Sequence, residues 1–271
     1  RGEVCVEQIL YAEALRCMAE LSARCTGTPR PEWEKKSAKL IRRVREVFWQ
    51  GRERCFVHGR IDGKLSDKTT RYANIFALLF GYLNGADRRA VIENVLKNPN
   101  VQAITTPYMK FYELSALAEA GETEEVLRYM REYWGGMLEE GATTFWEEYK
   151  PGEHGPEKYA MYGRKYGKSL CHAWGASPLY LLGRYIAGIR PAGYGYERFI
   201  AQPCVQAYES WKSTVPASKG TITVEVEKGC CKISSTALGG ELILPEGLHF
   251  TEGGARMRVE PGKVCIARWQ A

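Results

Sequence analysis

The stretch Thr221-Ile222-Thr223-Val224-Glu225-Val226-Glu227 alternates polar and apolar residues without a break, which is the pattern of a β-strand with one buried face. Shorter segments of the same kind follow between glycine-rich turns, at residues 232–234, 241–244 and 255–259. From about Tyr196 onwards the sequence therefore predicts a small antiparallel β domain, over residues 196–271.

Ahead of Tyr196 the apolar residues mostly recur every three or four positions, which indicates amphipathic helices. Two such stripes predict helices over residues 6–21 and 33–48, and Pro31 suits the first turn of the second helix. Residues 72–83 are apolar nearly all round and predict a buried helix. We expect Asn84-Gly85 to end that helix before another begins near Asp87 and runs to Leu96.

A third helix pair is predicted over residues 108–120 and 122–134, followed by a long connection rich in Gly, Tyr and Glu and by a last helix over residues 170–189. Successive hairpins of this kind suit an α/α toroid or a solenoid. About seven helices are predicted, whereas a six-hairpin toroid needs about twelve. The predicted fold is therefore mainly α with a C-terminal all-β domain: part of an (α/α)6 toroid over residues 1–195, then a β sandwich over residues 196–271.

Composition and charge exclude several classes of partner. The formal charge of +6 comes from 38 basic and 32 acidic residues without a block of like charges, so no nucleic-acid partner is predicted. The longest apolar run, residues 75–83, is too short to cross a membrane, and no signal peptide is evident. Nine cysteines without metal spacing predict no metal site and no disulfide framework, and they favour a reducing, cytoplasmic compartment. No P-loop and no G-x-G-x-x-G motif is found, so no cofactor is predicted.

The stretch Gly141-Ala142-Thr143-Thr144-Phe145-Trp146-Glu147 places a carboxylate beside two aromatic rings. Hydrolysis of a glycosidic bond uses carboxyl groups as acid and base, and aromatic rings can hold the apolar face of a sugar. Glu147 is therefore the candidate catalytic residue, with Trp146 as a candidate binding residue. The competing interpretation is that Trp146 packs in the core while Glu147 is one of 32 acids on a wet surface.

A second cluster, Ser169-Leu170-Cys171-His172-Ala173-Trp174, follows the long connection. His172 and Trp174 are two residues apart and would not share a face of a helix, but in the approach to a helix both can point into a cavity. Glu113 lies in an aromatic-rich helix opening, where a buried carboxylate needs a partner. Asp62-Gly63 is a turn signal, so Asp62 is predicted to form a turn.

Three segments carry a resemblance to a known family: GATTFWEEY from residue 141, SLCHAWGASPLYLLGRYIAGIRPAGYGYERFIAQP from residue 169 and STVPASKGTITVEVEK from residue 213. In order and spacing they resemble the C-terminal half of bacterial α-L-rhamnosidases of glycoside hydrolase family 78. The resemblance implies a six-hairpin α/α barrel followed by a β-sandwich domain. It also implies inverting hydrolysis of terminal α-L-rhamnose from plant glycosides and polysaccharides.

The same resemblance implies roles for individual residues. Glu147 matches the general base that activates water, Trp146, His172 and Trp174 would line the sugar pocket, and Glu113 would contribute to its wall. In this family the general acid lies in the first half of the barrel, and nothing in the chain corresponds to that half. The chain is therefore expected to lack one carboxyl group of the pair and to need the missing N-terminal half of the barrel as its partner.

Two alternatives stay open. The chain can be a non-catalytic carbohydrate-binding remnant that keeps the aromatic platforms, or a hydrolase for another sugar such as a uronic acid. A uronic acid needs cationic partners, and Arg164, Lys165 and Lys168 are candidates, although a solvated loop is the more ordinary place for them. An open half-barrel would also expose apolar helix faces, so the isolated chain is expected to associate.

Overall fold

The chain folds into two units that interleave along the sequence, in a computed structural model that describes residues 2–251 and 254–270. Unit 1 contains the residues up to Glu122 together with Trp146–Ser169. Unit 2 contains Thr123–Phe145 together with the residues from Leu170 onwards. Neither unit is a single stretch of chain, and the predicted division into domains at residues 1–195 and 196–271 stays a prediction.

Unit 1 is mainly helical. Its helices are α1 (Cys5–Thr26), α2 (Pro31–Phe48), α3 (Arg71–Leu79), α4 (Gly85–Val91) and α5 (Pro107–Glu119). Its short strands are β1 (Gly2–Val4), β2 (Trp49–Gln50), β3 (Cys55–Phe56), β4 (Gly59–Ile61) and β5 (Lys64–Leu65). β1, β4 and β5 form an antiparallel sheet, and β2 pairs with β3.

The predicted hairpin of α1 and α2 is confirmed, and it forms the base on which α3 packs. Gly27 adopts a left-handed conformation (φ +66°) and ends α1, and Pro31 occupies the first turn of α2. Apolar side chains from the three helices and from β3 meet in one core that includes Ile9, Val44 and Phe76. α3 also packs against α5, so the apolar residues of α3 are buried between helices, as predicted.

The helix predicted over residues 72–83 is shorter than expected. α3 ends at Leu79, and Gly81 then takes a left-handed conformation (φ +75°). Asn84 caps the start of α4, because its side-chain Oδ1 accepts the backbone N–H of Asp87 at 2.9 Å. The prediction that Asn84-Gly85 ends a helix is therefore wrong. Asn is favoured both before and after helices, and here it begins one.

Unit 2 begins with helices and continues as strands. Its helices are α6 (Thr123–Met130), α7 (Gly136–Glu139) and α8 (Ser177–Leu181). A π-helical turn at Arg131–Gly135 joins α6 to α7, and another at Leu182–Ile186 extends α8. Its strands are β6 (Ile189–Ala192), β7 (Arg198–Ala201), β8 (Trp211–Pro216), β9 (Thr221–Glu227), β10 (Cys230–Ser235), β11 (Gly240–Ile243), β12 (His249–Phe250), β13 (Arg256–Val259) and β14 (Val264–Gln270).

The strands of unit 2 form a five-stranded sheet in the order β12-β14-β10-β9-β8 and a four-stranded sheet in the order β13-β11-β7-β6. All pairs are antiparallel except β7 with β11. Both sheets contribute to one core, in which Ile222, Val224 and Val226 of β9 meet Phe199 and Leu242. The predicted fold class, helices followed by antiparallel β structure, is confirmed.

The last predicted helix, over residues 170–189, is also shorter. α8 begins only at Ser177, with Pro178 in its first turn, and Ala173–Gly175 form a separate 3-10 turn ahead of it. At the other end Ile189 already belongs to β6, so Arg190-Pro191 lies in a strand that pairs with β7. Proline is tolerated there because β6 is an edge strand.

Candidate active site

The segment that carries Glu147 is an irregular connection after α7. Gly141 has a left-handed backbone (φ +87°) and turns the chain out of the helix. Trp146, Glu147 and Glu148 are then buried in succession, and the exposed fraction of Glu147 is 6%. The interpretation of Glu147 as an acid on a wet surface is therefore wrong. Two adjacent buried carboxylates need hydrogen-bond or ionic partners, and each has its own.

Both oxygens of the Glu147 carboxylate accept hydrogen bonds. The Tyr162 hydroxyl donates to Oε1 at 2.7 Å, and the backbone N–H of Ser169 donates to Oε2 at 3.0 Å. In return, the backbone N–H of Glu147 donates to the carbonyl oxygen of Ser169 at 2.9 Å. Donors on both oxygens suit an ionised carboxylate, which only accepts hydrogen bonds. The side chain is thus oriented before any ligand arrives.

Tyr162 reaches Glu147 from the tip of a tight turn. The turn is closed by a bridge between Met161 and Arg164, and both central residues, Tyr162 and Gly163, have positive φ (+53° and +72°). A left-handed conformation is ordinary for glycine but uncommon for tyrosine. The ring of Tyr162 is 71% exposed, and the carboxylate of Glu147 raises the pKa of its hydroxyl by accepting the hydrogen bond.

Glu148 and its partners fix the backbone on the other side of Glu147. The Thr105 hydroxyl donates to Glu148 Oε1 at 2.8 Å, and Lys150 Nζ lies 3.2 Å from Oε2. Lys168 Nζ lies 3.7 Å from both Glu148 and Glu153, and its side chain is only 1% exposed. The expectation of a solvated loop is therefore wrong for Lys168, because two carboxylates compensate its burial.

Trp146 is buried, and aromatic rings continue from it towards solvent. Its ring meets that of Tyr159 edge-on, with 6.1 Å between centroids, and Tyr159 lies 6.4 Å from the exposed ring of Tyr166. Trp146 therefore packs inside unit 1 and supports the loop that carries Tyr159. Its predicted contact with a sugar stays a prediction.

His172 and Trp174 belong to unit 2, where their rings pack against each other. The centroids are 4.2 Å apart at an interplanar angle of 35°, and Trp174 is exposed. This contact is possible because both residues precede α8 and are not held in a helix. Hydrogen bonds fix the segment: the backbone N–H of His172 donates to the carbonyl of Phe145 at 2.8 Å, and the indole of Trp134 donates to the carbonyl of Gly175 at 2.9 Å. The pair forms a partly exposed aromatic surface, and its role in sugar binding stays a prediction.

Glu113 is fully buried in unit 1 and forms two ion pairs. Arg71 Nη1 lies 2.5 Å from Oε1, and Lys110 Nζ lies 2.6 Å from Oε2. Arg71 Nη2 also donates to the carbonyls of Asn98 and Val101 at 3.2 and 3.3 Å. The buried Glu113 carboxylate therefore has two cationic partners, Arg71 and Lys110. The proposed place of Glu113 at the wall of a sugar pocket stays a prediction.

Among residues 2–251 and 254–270, no three His, Cys, Asp or Glu side chains are grouped as a metal ion would require. Within those residues, the helices fall short of the combined length and apolarity of a membrane span. All nine cysteines are free thiols.

Comparison with known proteins assigns the chain to a family. Residues 2–186 match the bacterial alpha-L-rhamnosidase six-hairpin glycosidase domain. The chain belongs to this rhamnosidase family. The matched range includes all the candidate site residues, namely Glu113, Trp146, Glu147, His172 and Trp174. No curated protein matches the chain.

Solved rhamnosidases share the fold of this family member. A family 78 rhamnosidase from Bacillus sp. GL1 superposes with a TM-score of 0.76 at 24% identity over 90% of this chain. A rhamnosidase from Klebsiella oxytoca gives 0.57 at 25% identity over 67%, and the Streptomyces avermitilis α-L-rhamnosidase gives 0.70 at 17% identity over 96%. The chain spans 26%, 34% and 26% of these three proteins, so it corresponds to about a third of their length or less.

The sequence did not indicate the groups that donate hydrogen bonds to the Glu147 carboxylate of this rhamnosidase-family chain. Tyr162 and the Ser169 N–H are 15 and 22 residues from Glu147 along the chain. The signal for the turn was present, since Tyr162-Gly163 is a residue pair in which glycine accepts a left-handed backbone. A similar pair, Asp62-Gly63, forms the turn between β4 and β5 with φ of +48° and +78°. The turn predicted at Asp62 is therefore confirmed.

Proposed function

We propose that this chain is the base-bearing part of an inverting α-L-rhamnosidase that releases terminal α-L-rhamnose from plant glycosides or polysaccharides. The observation that carries the proposal is the buried Glu147 carboxylate, held through both oxygens by Tyr162 and Ser169. Family membership supports the class of reaction. The matched proteins from Klebsiella oxytoca and Streptomyces avermitilis, solved with rhamnose bound, support the choice of sugar.

In this proposal Glu147 is the general base. It takes a proton from a water molecule as the oxygen of that water attacks the anomeric carbon, while an acid on the opposite face protonates the leaving oxygen. An ionised carboxylate only accepts hydrogen bonds, which suits a group that takes up a proton from water. Tyr162 and Ser169 then keep the carboxylate oriented while the proton moves.

The general acid is proposed to lie in a further part of the parent protein, about 6.5–9.5 Å from Glu147 in the assembled site. The short span relative to the solved rhamnosidases supports this. So does α1, on which Leu10, Met18 and Leu21 are 40%, 48% and 51% exposed. Large apolar side chains on one side of a helix favour cover by another element.

The stereochemistry of the product tests the proposal directly. The parent protein is expected to release β-L-rhamnose first from an aryl α-L-rhamnoside, because a base that activates water gives a single displacement. Proton NMR of the anomeric signal in the first moments of hydrolysis measures this before mutarotation. Initial release of α-L-rhamnose would contradict the role of Glu147, and absence of rhamnoside hydrolysis in a panel of aryl glycosides would contradict the substrate.

Tyr162→Phe is expected to move the acid limb of the kcat/KM profile of the parent to higher pH. The hydroxyl donates to the ionised carboxylate and stabilises that form, so its loss favours protonation of the base. One hydrogen bond from an exposed residue predicts a loss of roughly two- to tenfold in kcat/KM on the acid side, with little change near the plateau. Steady-state kinetics against pH measures it.

The matched control for that variant is Tyr166→Phe. Tyr166 is an exposed tyrosine of the same connection whose ring packs near Tyr159. Its profile should follow that of the unmodified parent. Equal profiles for both variants would remove Tyr162 from the positioning of Glu147.

Substitution of Leu10, Met18 and Leu21 by Gln is expected to reduce self-association of the isolated chain. The exposed stripe on α1 is the surface that a further helix would cover, and without that cover it favours contact between copies. Sedimentation velocity measures the change, and Ile61→Gln, at a residue that is 62% exposed outside α1, is the control. An unmodified chain that sediments as a single monomer would contradict the incomplete helical layer.

A further inference from the structure

The outer face of the four-stranded sheet in unit 2 is rich in arginine. Strand register aligns Arg258 of β13 with Glu241 of β11, Glu241 with Ile200 of β7, and Ile200 with Arg190 of β6. Side chains alternate along each strand, and the intervening residues face the core. These four residues therefore form one row on the side of the sheet away from the core.

Two more arginines border that row. Arg198 is two residues before Ile200 on β7 and shares its face, and Arg256 is two residues before Arg258 on β13. Arg256 Nη1 lies 2.9 Å from Glu241 Oε2. The face thus carries four guanidinium groups and one carboxylate among its described residues, and Arg190 has a buried Nε without a hydrogen-bond partner.

A cavity of about 580 Å³ opens on this face. Arg198 and Arg258 stand on its two sides, on strands separated by β11 and staggered by two residues, which places their Cα atoms about 12 Å apart. Gly239 and Gly240 contribute no side chains to its lining, and Gly240 is required on the core side of the sheet, where a Cβ would lie 2.6 Å from the Phe199 ring. The volume lies in the range of sites that bind small molecules.

The lining selects a particular kind of ligand. A guanidinium group pairs with a carboxylate through two parallel hydrogen bonds, so Arg198 and Arg258 favour an anion. Glu241, between them, accepts hydrogen bonds from hydroxyl groups. Ile200 and Ala192 add an apolar surface that suits the C–H face of a sugar ring. One carboxylate and several hydroxyls on one ring describe a uronic acid.

We propose that this cavity binds a uronic acid unit of a polysaccharide, as a binding site that does not involve Glu147. The inference stands independently of the proposed rhamnosidase activity, since all of its residues belong to the β sheet of unit 2. A site of this kind holds an acidic polysaccharide on the protein without cleaving it.

Isothermal titration of the full chain with digalacturonate tests the proposal. The chain is expected to bind digalacturonate at least about tenfold more tightly than the neutral disaccharide α-1,4-galactobiose, because only the acid pairs with the guanidinium groups. Arg198→Ala with Arg258→Ala is expected to abolish that preference. Arg268→Ala, which removes an exposed arginine from β14 in the other sheet, is the matched control and should bind like the unmodified chain.

Three results would overturn the inference. They are the absence of saturable binding, equal affinity for the neutral disaccharide, and an affinity for inorganic sulfate equal to that for digalacturonate, which would indicate a site for simple anions. Glu147→Gln is expected to leave the titration unchanged, and a loss of binding in that variant would place the ligand elsewhere. Circular dichroism of each variant confirms that the fold is retained.

Discussion

Glu147→Gln in the full-length parent is expected to lower kcat for 4-nitrophenyl α-L-rhamnoside by about 10²- to 10⁴-fold, the usual contribution of a general base. Glutamine has nearly the same shape as glutamate but takes up no proton from the attacking water. Its single amide oxygen also replaces only one of the two carboxylate oxygens that accept hydrogen bonds from Tyr162 and Ser169. Because the loss is in the chemical step, KM should change much less than kcat.

The control for this variant is Glu157→Gln, which changes an exposed acid of the same connection. It should retain the kcat of the unmodified parent. Thermal unfolding of both variants separates a catalytic effect from a loss of structure. A Glu147→Gln enzyme that keeps its fold and turns over within about tenfold of the parent would refute the assignment.

Glu113→Ala is expected to lower the free energy of unfolding by about 3–5 kcal/mol, because it removes the carboxylate that pairs with two buried cations. Arg71 and Lys110 are almost completely buried, and both pair with the carboxylate that the substitution removes. A loss of this size is a large part of the roughly 5–15 kcal/mol that holds a typical domain folded. Urea unfolding of the chain, followed by circular dichroism, measures it.

The control is Glu93→Ala, which removes an exposed acid that pairs with Lys97 across one helical turn. Such a pair contributes about 0.3–0.5 kcal/mol, so the midpoint should barely move. Replacement of Glu113, Arg71 and Lys110 together by Leu, Met and Met should recover much of the loss, because the three charges of the network are removed together. A cost below about 1 kcal/mol for Glu113→Ala would contradict the buried network.

Local rules predicted the parts of the fold in which one signal dominates. Pro31 indicates only the start of a helix, and the strict alternation of β9 indicates only a strand with one buried face. Both elements form as predicted. Asn84 has two readings, because asparagine favours both ends of a helix, and the wrong one was chosen. Ser177-Pro178 was a sufficient signal for the start of α8, but the apolar residues that precede it extended the predicted helix too far.

The candidate site divides in the same way. Glu147 stood out because its neighbours in sequence are aromatic and small, which is local information. Its partners Tyr162 and Ser169, and the Arg71 that pairs with Glu113 from 42 residues away, come from loop closure and burial. No periodicity encodes such contacts, so sequence reasoning predicted that a buried carboxylate needs a partner without identifying which one.

The interleaving of the two units has a consequence for synthesis on the ribosome. The helices α1–α5 leave the exit tunnel first, but Trp146–Ser169, which belongs to the same unit, follows only after α6 and α7 have been made. At about 5–20 residues per second, unit 1 therefore waits seconds for its last segment. A nascent chain stopped after Glu122 would hold every α-helix of that unit and neither Glu147 nor the groups that orient it.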